Sequence, residues 1–294
     1  MAVPAARAPT PTDRAVDLIG RAAIGVALRL PYARRVPAMG WAFRHLVGPL
    51  AGARRRVAGN LAHVWPHLTA ADHARLTAQV MDNFGRALIE VFSGAEFAAR
   101  AAAAEVEGEG LASLRAAHAA GRPVVLVTAH LGNYDAARAW LLAQGFRVGG
   151  FYRPLANPLF NPRYVAAISA IGRPLFPAGR EGMAGMVRFL RGGGMLGLVA
   201  DHHIGTGVPM DFLGKPALTA LSAAELALRY DAALVPLYGI RQPDGLSFRI
   251  RIEAPVPPSD AHRMTEALNA SAGAMIAAYP GQWFWLHRRW KGAG

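Results

Sequence analysis

The sequence predicts an α/β fold, a mostly parallel central sheet with helices on both faces, preceded by an amphipathic N-terminal helical region. Two patterns and a composition carry that expectation. From about residue 123 onward, short apolar runs of strand length alternate with segments of helical period. Before that point the apolar residues recur at helical spacing only, as at Leu76, Val80, Phe84, Leu88 and Val91. The chain has 294 residues, 53% of them hydrophobic and 17% charged, which excludes disorder and supports a sizeable core.

In order along the chain, residues 1–17, with Pro4, Pro9 and Pro11, read as a loose tail without a signal-peptide pattern. Residues 18–104 read as a basic helical region that associates with a membrane and packs on the core. Its apolar stretches are interrupted by Arg21 and Arg29 and fall short of the roughly 20 residues a spanning helix needs. Between 18 and 71 stand eight arginines and no acidic residue, interleaved with Leu30, Tyr32, Trp41, Phe43 and Leu46. Such a mixture suits helices lying among lipid headgroups, or helices that cover a core and turn their arginines to water. Helical period sets in at residue 69, and an alanine-rich stretch at 98–104 reads as a bridge. Residues 105–294 form the α/β core. Strands are expected at 123–128, 148–152, 174–176, 195–200, 233–238 and 248–252. Helices are expected at 136–142, 163–171, 183–190, 218–229 and 261–278. The run Gly192-Gly193-Gly194 lacks a Walker lysine and reads as a helix-terminating turn.

The net charge of +13 comes from 32 basic and 19 acidic residues, and only Lys215 and Lys291 are lysines. Arginine forks suit phosphate and carboxylate, so the expected partners are anionic: a phospholipid surface, nucleic acid or an acidic protein. The absence of cysteine excludes disulfides, thiolate metal sites and a cysteine acyl-enzyme.

The chemistry concentrates at the end of the strand 123–128. There the chain reads Ala129-His130-Leu131-Gly132-Asn133-Tyr134-Asp135, at the carboxyl edge where open α/β sheets bind ligands. Asp135 falls in the first turn of the following helix, within reach of His130 Nδ1. A carboxylate there fixes the imidazole tautomer and frees the other nitrogen as a general base. The same spacing also serves purely structural pairs. Arg153 and Asp201 likewise follow expected strands. Asp201-His202-His203 lacks a further partner at ligand spacing, so no metal is assigned.

These residues resemble a known family. His130 to Asp135 matches the H-x4-D motif of the glycerolipid acyltransferase superfamily. The chain is most similar to the bacterial lipid A biosynthesis acyltransferases and their phosphatidylinositol mannoside acyltransferase relatives. The likeness runs through Arg54-Arg55-Arg56-Val57-Ala58-Gly59-Asn60-Leu61, Asn83-Phe84-Gly85-Arg86 and Tyr152-Arg153-Pro154-Leu155-Ala156-Asn157-Pro158. It continues through Ala200-Asp201-His202-His203 and Trp283-Phe284-Trp285-Leu286-His287-Arg288-Arg289-Trp290-Lys291.

The resemblance implies O-acyl transfer from acyl-acyl carrier protein or acyl-CoA to a lipid A precursor or another glycolipid, with no cofactor, on the cytoplasmic face of a bacterial inner membrane. His130 would act as base with Asp135, and Arg153 and Asp201 would complete the catalytic set. Asn133, Tyr134, Tyr152, Asn157, Arg288 and Arg289 would bind substrate. With no G-x-S-x-G elbow and no cysteine, the acceptor hydroxyl attacks the thioester directly. The oxyanion would then rest on backbone N–H groups of residues 131–133 or on Arg153. Acidic acyl carrier protein and anionic lipid are the expected partners, and nucleic acid is not. Where many relatives carry Asp-x-Asp, this chain has Asp201-His202-His203, which leaves the acceptor open. A non-enzymatic basic protein on anionic membranes and a lipid hydrolase are the rival readings.

Overall fold

The computed structural model describes residues 7–50 and 52–292. Helix α1 (Pro11–Leu28) begins inside the stretch expected to be loose, because Thr10 and Asp13 form a reciprocal capping box with Pro11 at the first helical position. Residues 1–6 of that expected tail lie outside the described residues. Helix α2 (Tyr32–Ala42) runs through a π-helical turn (Phe43–Val47) into the short α3 (Gly48–Leu50). Helix α4 (Ala53–Val64) and the long α5 (Ala70–Phe92) follow, the latter opened by a second capping box at Thr69 and Asp72. The expected alanine-rich bridge is mostly helix, α6 (Gly94–Ala102), since alanine has the highest helix propensity and Phe97 and Ala101 are buried.

Strand β1 (Glu105–Glu107) and α7 (Gly110–Ala119) lead into β2 (Val124–Thr128), α8 (Tyr134–Ala143), β3 (Val148–Tyr152), α9 (Asn161–Ile171), β4 (Leu175–Pro177), α10 (Arg180–Arg191) and β5 (Met195–Val199). A hairpin, β6 (Val208–Phe212) and β7 (Lys215–Thr219), precedes α11 (Ser222–Arg229), β8 (Ala233–Arg241), β9 (Phe248–Ile252) and α12 (Ala261–Ala278). The helix expected from 218 therefore starts later. Leu218 and Thr219 pair with Pro209 and Val208 across the hairpin, whose two-residue turn takes Leu213 and Gly214 to positive φ.

The sheet order is β1-β9-β8-β2-β5-β3-β4, parallel throughout except for the antiparallel pair β8–β9. Side chains alternate across β2. Val124 and Leu126 join α8 and α9 in one core cluster, while Val125 and Val127 join α10, α11 and α12 in another. Helices thus cover both faces. The parallel neighbours β2, β5 and β3 bring the loops that follow them to a single edge of the sheet.

No helix of the described residues is long and apolar enough to cross a membrane. Helix α1 is instead inverted in polarity. Its inward face carries the buried carboxylates Asp13 and Asp17, tied to Arg7 and Arg163, whereas Leu18, Ile19 and Val26 point outward and are exposed.

Candidate active site

The apolar run of β2 ends at Thr128, and His130 lies just beyond it. The turn that follows is held on three sides. Gly132 adopts a φ of 60° and bridges in parallel to Gly239 of β8, whose carbonyl oxygen would lie 2.1 Å from an added Cβ, so only glycine fits. The chain after α12 folds back over the turn. Leu131 bridges to Trp283, and Phe284 N–H donates to the His130 carbonyl at 3.0 Å. From α5, Asn83 Nδ2 donates to the carbonyls of Gly132 and Gln282, both at 3.0 Å.

The carboxylate that holds His130 is Asp201, not Asp135. Asp201 follows β5, the hydrogen-bonded neighbour of β2. Its Oδ1 lies 2.7 Å from His130 Nδ1, and its Oδ2 accepts the His130 backbone N–H at 2.8 Å and the Trp283 indole N–H at 2.7 Å. Burial works to raise the Asp201 pKa. The charge and hydrogen bond of His130, with His287 and His202 beyond, outweigh it and hold this carboxyl well below the ordinary range.

Asp135 turns to its own helix, where Arg138, one turn on in α8, donates Nε to its Oδ1 at 2.8 Å. Arg138 is itself anchored to the carbonyls of Ile168 and Gly172. The second residue of α8 thus faces an i+3 arginine rather than the strand end, and the expected His130–Asp135 pair does not form.

Two further imidazoles reach His130. His202 Nε2 lies 3.2 Å from His130 Nε2, and the His287 ring centroid is 4.7 Å from that of His130 and 4.0 Å from that of His202. Desolvation first, then the neighbouring charge of His130, push the pKa of His202 down to about 4 and that of His287 down to about 3. Beside His130 opens a cavity of about 170 Å³. Its wall from α5 is apolar (Val80, Phe84, Ala87, Leu88, Val91) apart from Asn83, and Phe284, Tyr134 and Tyr164 close it.

The other expected site residues divide. Tyr134 stands edge-on to His130 in the cavity wall, and burial, then Tyr164 and Asp135 nearby, raise its phenol well above the usual value. Arg153 is exposed at the end of β3, near enough for its charge to act on His202. Tyr152 is half-buried against the core, and burial raises its pKa. Asn133 is buried structure. Its Oδ1 caps α8 by accepting from Asp135 N–H, and its Nδ2 donates to Glu90 Oε2 at 2.8 Å. Asn157 clips α1 to the core through the Asp13 carbonyl and caps its own turn, so its side chain is engaged within the protein. Arg288 is exposed. Arg289, expected near substrate phosphate, is fully buried, donates to Leu218 O and Thr219 Oγ1 and lies over Phe212; burial lowers its pKa to about 10. The expected oxyanion donors fail for the same reason: Leu131, Gly132 and Asn133 N–H donate to Ala129, Gln282 and Gly239 carbonyls. Of the two expected sources, Arg153 is the one left with its donors at the surface.

The resemblance placed Trp283 and His287 in a matching segment that packs near the site, without a separate task for either, and the pair of Glu90 and Arg241 was not singled out. Arg241 Nη2 donates to Glu90 Oε2 at 2.7 Å and its Nε to Asn83 Oδ1 at 2.8 Å, which locks α5 against β8 behind the turn. A carboxylate set between Ile89 and Val91 in the apolar C-terminal end of α5 is a readable signal for such a buried pair.

Comparison with known proteins follows the same lines. The family model for "Bacterial lipid A biosynthesis acyltransferase" matches residues 11–292. A phosphatidylinositol mannoside acyltransferase of Mycobacterium tuberculosis (strain H37Rv) is 28% identical over 245 residues, 81% of this chain and 78% of that protein. A lipid A biosynthesis lauroyltransferase of Escherichia coli (strain K12) is 26% identical over 239 residues, 79% and 77% of the two chains. A lipid A biosynthesis acyltransferase of Haemophilus influenzae is 24% identical over 243 residues, 79% and 74%.

Proposed function

Because the chain belongs to the bacterial lipid A biosynthesis acyltransferase family and is a lipid acyltransferase, we propose that His130 and Asp201 carry out direct transfer of a fatty acyl group from a thioester to a glycolipid hydroxyl. Family membership sets aside the non-enzymatic reading. The observation that carries the proposal is the 2.7 Å contact between His130 Nδ1 and a buried Asp201 carboxylate, beside an apolar cavity. With Nδ1–H given to Asp201, the lone pair of His130 sits on Nε2 and can take the acceptor proton. The acceptor oxygen then bonds to the thioester carbonyl carbon. As the tetrahedral intermediate collapses, the C–S bond breaks and the imidazolium returns its proton to the leaving thiolate. Arg153 is the proposed oxyanion or phosphate partner, and the cavity receives part of the acyl chain.

The proposed acceptor is a lipid A precursor. The 28% identity to a phosphatidylinositol mannoside acyltransferase favours a mannosylated phosphatidylinositol as the second candidate. The proposed donor is acyl-acyl carrier protein, whose acidity complements a net charge of +13, with acyl-CoA second. The proposed location is the cytoplasmic face of the inner membrane, held peripherally by the apolar outward face of α1.

The test pairs purified protein with each thioester donor and each glycolipid acceptor, reading free thiol and product mass together. Acceptor-dependent thiol release by wild-type protein, absent from a folded His130→Ala variant, is the expected result. Thiol release that ignores the acceptor makes the protein a thioester hydrolase instead. Normal turnover by folded His130→Ala removes the base role.

A further inference from the structure

The three imidazoles at the site come from three separate segments: the loop after β2, the loop after β5 and the chain after α12. Together with Asp201 they offer ligand atoms that all lie within 4.8 Å of one another. The geometry points to a divalent transition-metal site in which His130, His202 and His287 bind an ion such as Zn2+, with Asp201 as the outer carboxylate. The consequence for activity rests on the function proposed above: the ion and the acceptor hydroxyl compete for His130 Nε2.

Three features support it. First, the 3.2 Å between the Nε2 atoms of His130 and His202 is close to the edge of about 3.3–3.4 Å that a tetrahedron with Zn–N bonds near 2.05 Å has. Second, His287 Nε2 is buried with no hydrogen-bond partner, and an unpartnered buried ring nitrogen is a cost that a bound cation removes. Third, Asp201 Oδ1 takes the His130 Nδ1–H. This is the carboxylate–histidine arrangement that orients a metal-ligating imidazole and raises its basicity. A set of three nitrogens with no thiolate selects zinc, copper, nickel or cobalt over magnesium or calcium, which prefer oxygen. The exposed side of His202 leaves a fourth position for water.

The competing arrangement is a hydrogen bond from His202 Nε2–H to His130 Nε2, which needs no ion. The two are separated by stripping the full-length protein with a chelator and titrating it with Co2+, followed by visible absorption and competition with Zn2+. The expected result is one Co2+ per chain with tetrahedral d–d bands, displaced by Zn2+ and lost in His202→Gln and in His287→Gln. Thermal melts establish that each variant folds. Should a variant not fold, ¹⁵N-histidine spectra of the wild type supply the same answer: Zn2+ must move the Nε2 resonances of three of the ten histidines. In the transfer assay, Zn2+ is expected to lower wild-type turnover by roughly 10²-fold or more, the contribution of a general base. A chelator is expected to restore it, and the remaining turnover of His202→Gln should be insensitive to Zn2+.

Failure to bind Co2+ stoichiometrically, or equal binding by folded variants, overturns the site. Stoichiometric binding by a metal-free protein that transfers no acyl group leaves the site standing and overturns the base role. Transfer that proceeds unaffected by Zn2+, with no Co2+ bound, does the reverse.

Discussion

The two oxygens of Asp201 have separate tasks. Oδ2 accepts two N–H groups, the His130 backbone and the Trp283 indole, and Oδ1 faces the ring nitrogen of His130. In Asp201→Asn the amide oxygen has to stay on the side of the two fixed N–H donors, which turns the new NH₂ toward His130 Nδ1. The imidazole then accepts at Nδ1 and carries its proton on Nε2, where the base needs a lone pair. The expected outcome is a folded protein with kcat lowered by roughly 10²- to 10⁴-fold, checked by steady-state transfer kinetics alongside circular dichroism. Asp135→Asn should behave in the opposite way. It breaks a buried pair with Arg138, which costs about 3–5 kcal/mol and lowers the thermal midpoint, while folded molecules keep most of their kcat. Equal kinetic damage from both substitutions would place Asp135 back in the chemistry. His130 and Asp201 were legible because each ends an apolar strand, and strand ends gather ligands. Asp135 was misread because spacing along the chain gives reach but not direction: it could not show that Arg138, three residues on, faces the same carboxylate. His287 has no spacing signature at all, since its position depends on how the chain after α12 folds over the β2–α8 turn.

That turn is the element whose backbone is most constrained. Gly132 sits at positive φ against Gly239, whose own Cβ position lies 2.3 Å from the Asn133 carbonyl. Gly132→Ala therefore meets both an unfavourable backbone conformation and a carbonyl, and is expected to destabilise the protein by at least about 2 kcal/mol. Denaturant unfolding reads the loss, and a midpoint equal to wild type would mean that the turn relaxes freely. At the other end of the site's main supporting helix, α5 is opened by Asp72. The Thr69 hydroxyl, then Arg75, hold its carboxyl down to about 2 from an ordinary 3.8. A lowered folded-state pKa adds stability above the unfolded value and loses it as pH falls through the folded one. The first turn of α5 should thus lose hydrogen-exchange protection between about pH 4 and pH 2, a window that Asp72→Ala is expected to abolish. The buried parallel strands were readable as continuous apolar runs, as was α5 from its helical period. The β6–β7 hairpin was not, because each five-residue strand holds a proline and the left-handed Leu213-Gly214 turn lacks the usual Asn-Gly signal.

For the molecule as a whole, the deciding quantity is where its excess positive charge and its unburied apolar surface coincide. Of the eight arginines between 18 and 71, Arg35 is buried and paired with Glu96, and the other seven are exposed. The same stretch exposes Ile19 (69%), Trp41 (56%) and Leu50 (88%), while α1 turns its carboxylates inward onto Arg7 and Arg163. A water-facing helix would present the carboxylates and bury Leu18, Ile19 and Val26. The inversion costs nothing when the outward face lies in acyl chains, where each large side chain gains about 1.5–3 kcal/mol and each nearby arginine gains about 1 kcal/mol from anionic headgroups. Partitioning to anionic vesicles is then expected to exceed partitioning to zwitterionic ones and to fall as salt screens the arginines. Ile19→Glu should lower partitioning roughly tenfold or more, because a factor of ten corresponds to about 1.4 kcal/mol. Since Ile19 contacts solvent rather than core, the variant should melt where the wild type does. Sedimentation with vesicles of the two compositions, at low and high salt, reads all of these. Equal partitioning of Ile19→Glu and wild type would mean that charge alone holds the protein to lipid, and that the inverted face of α1 covers something other than a membrane.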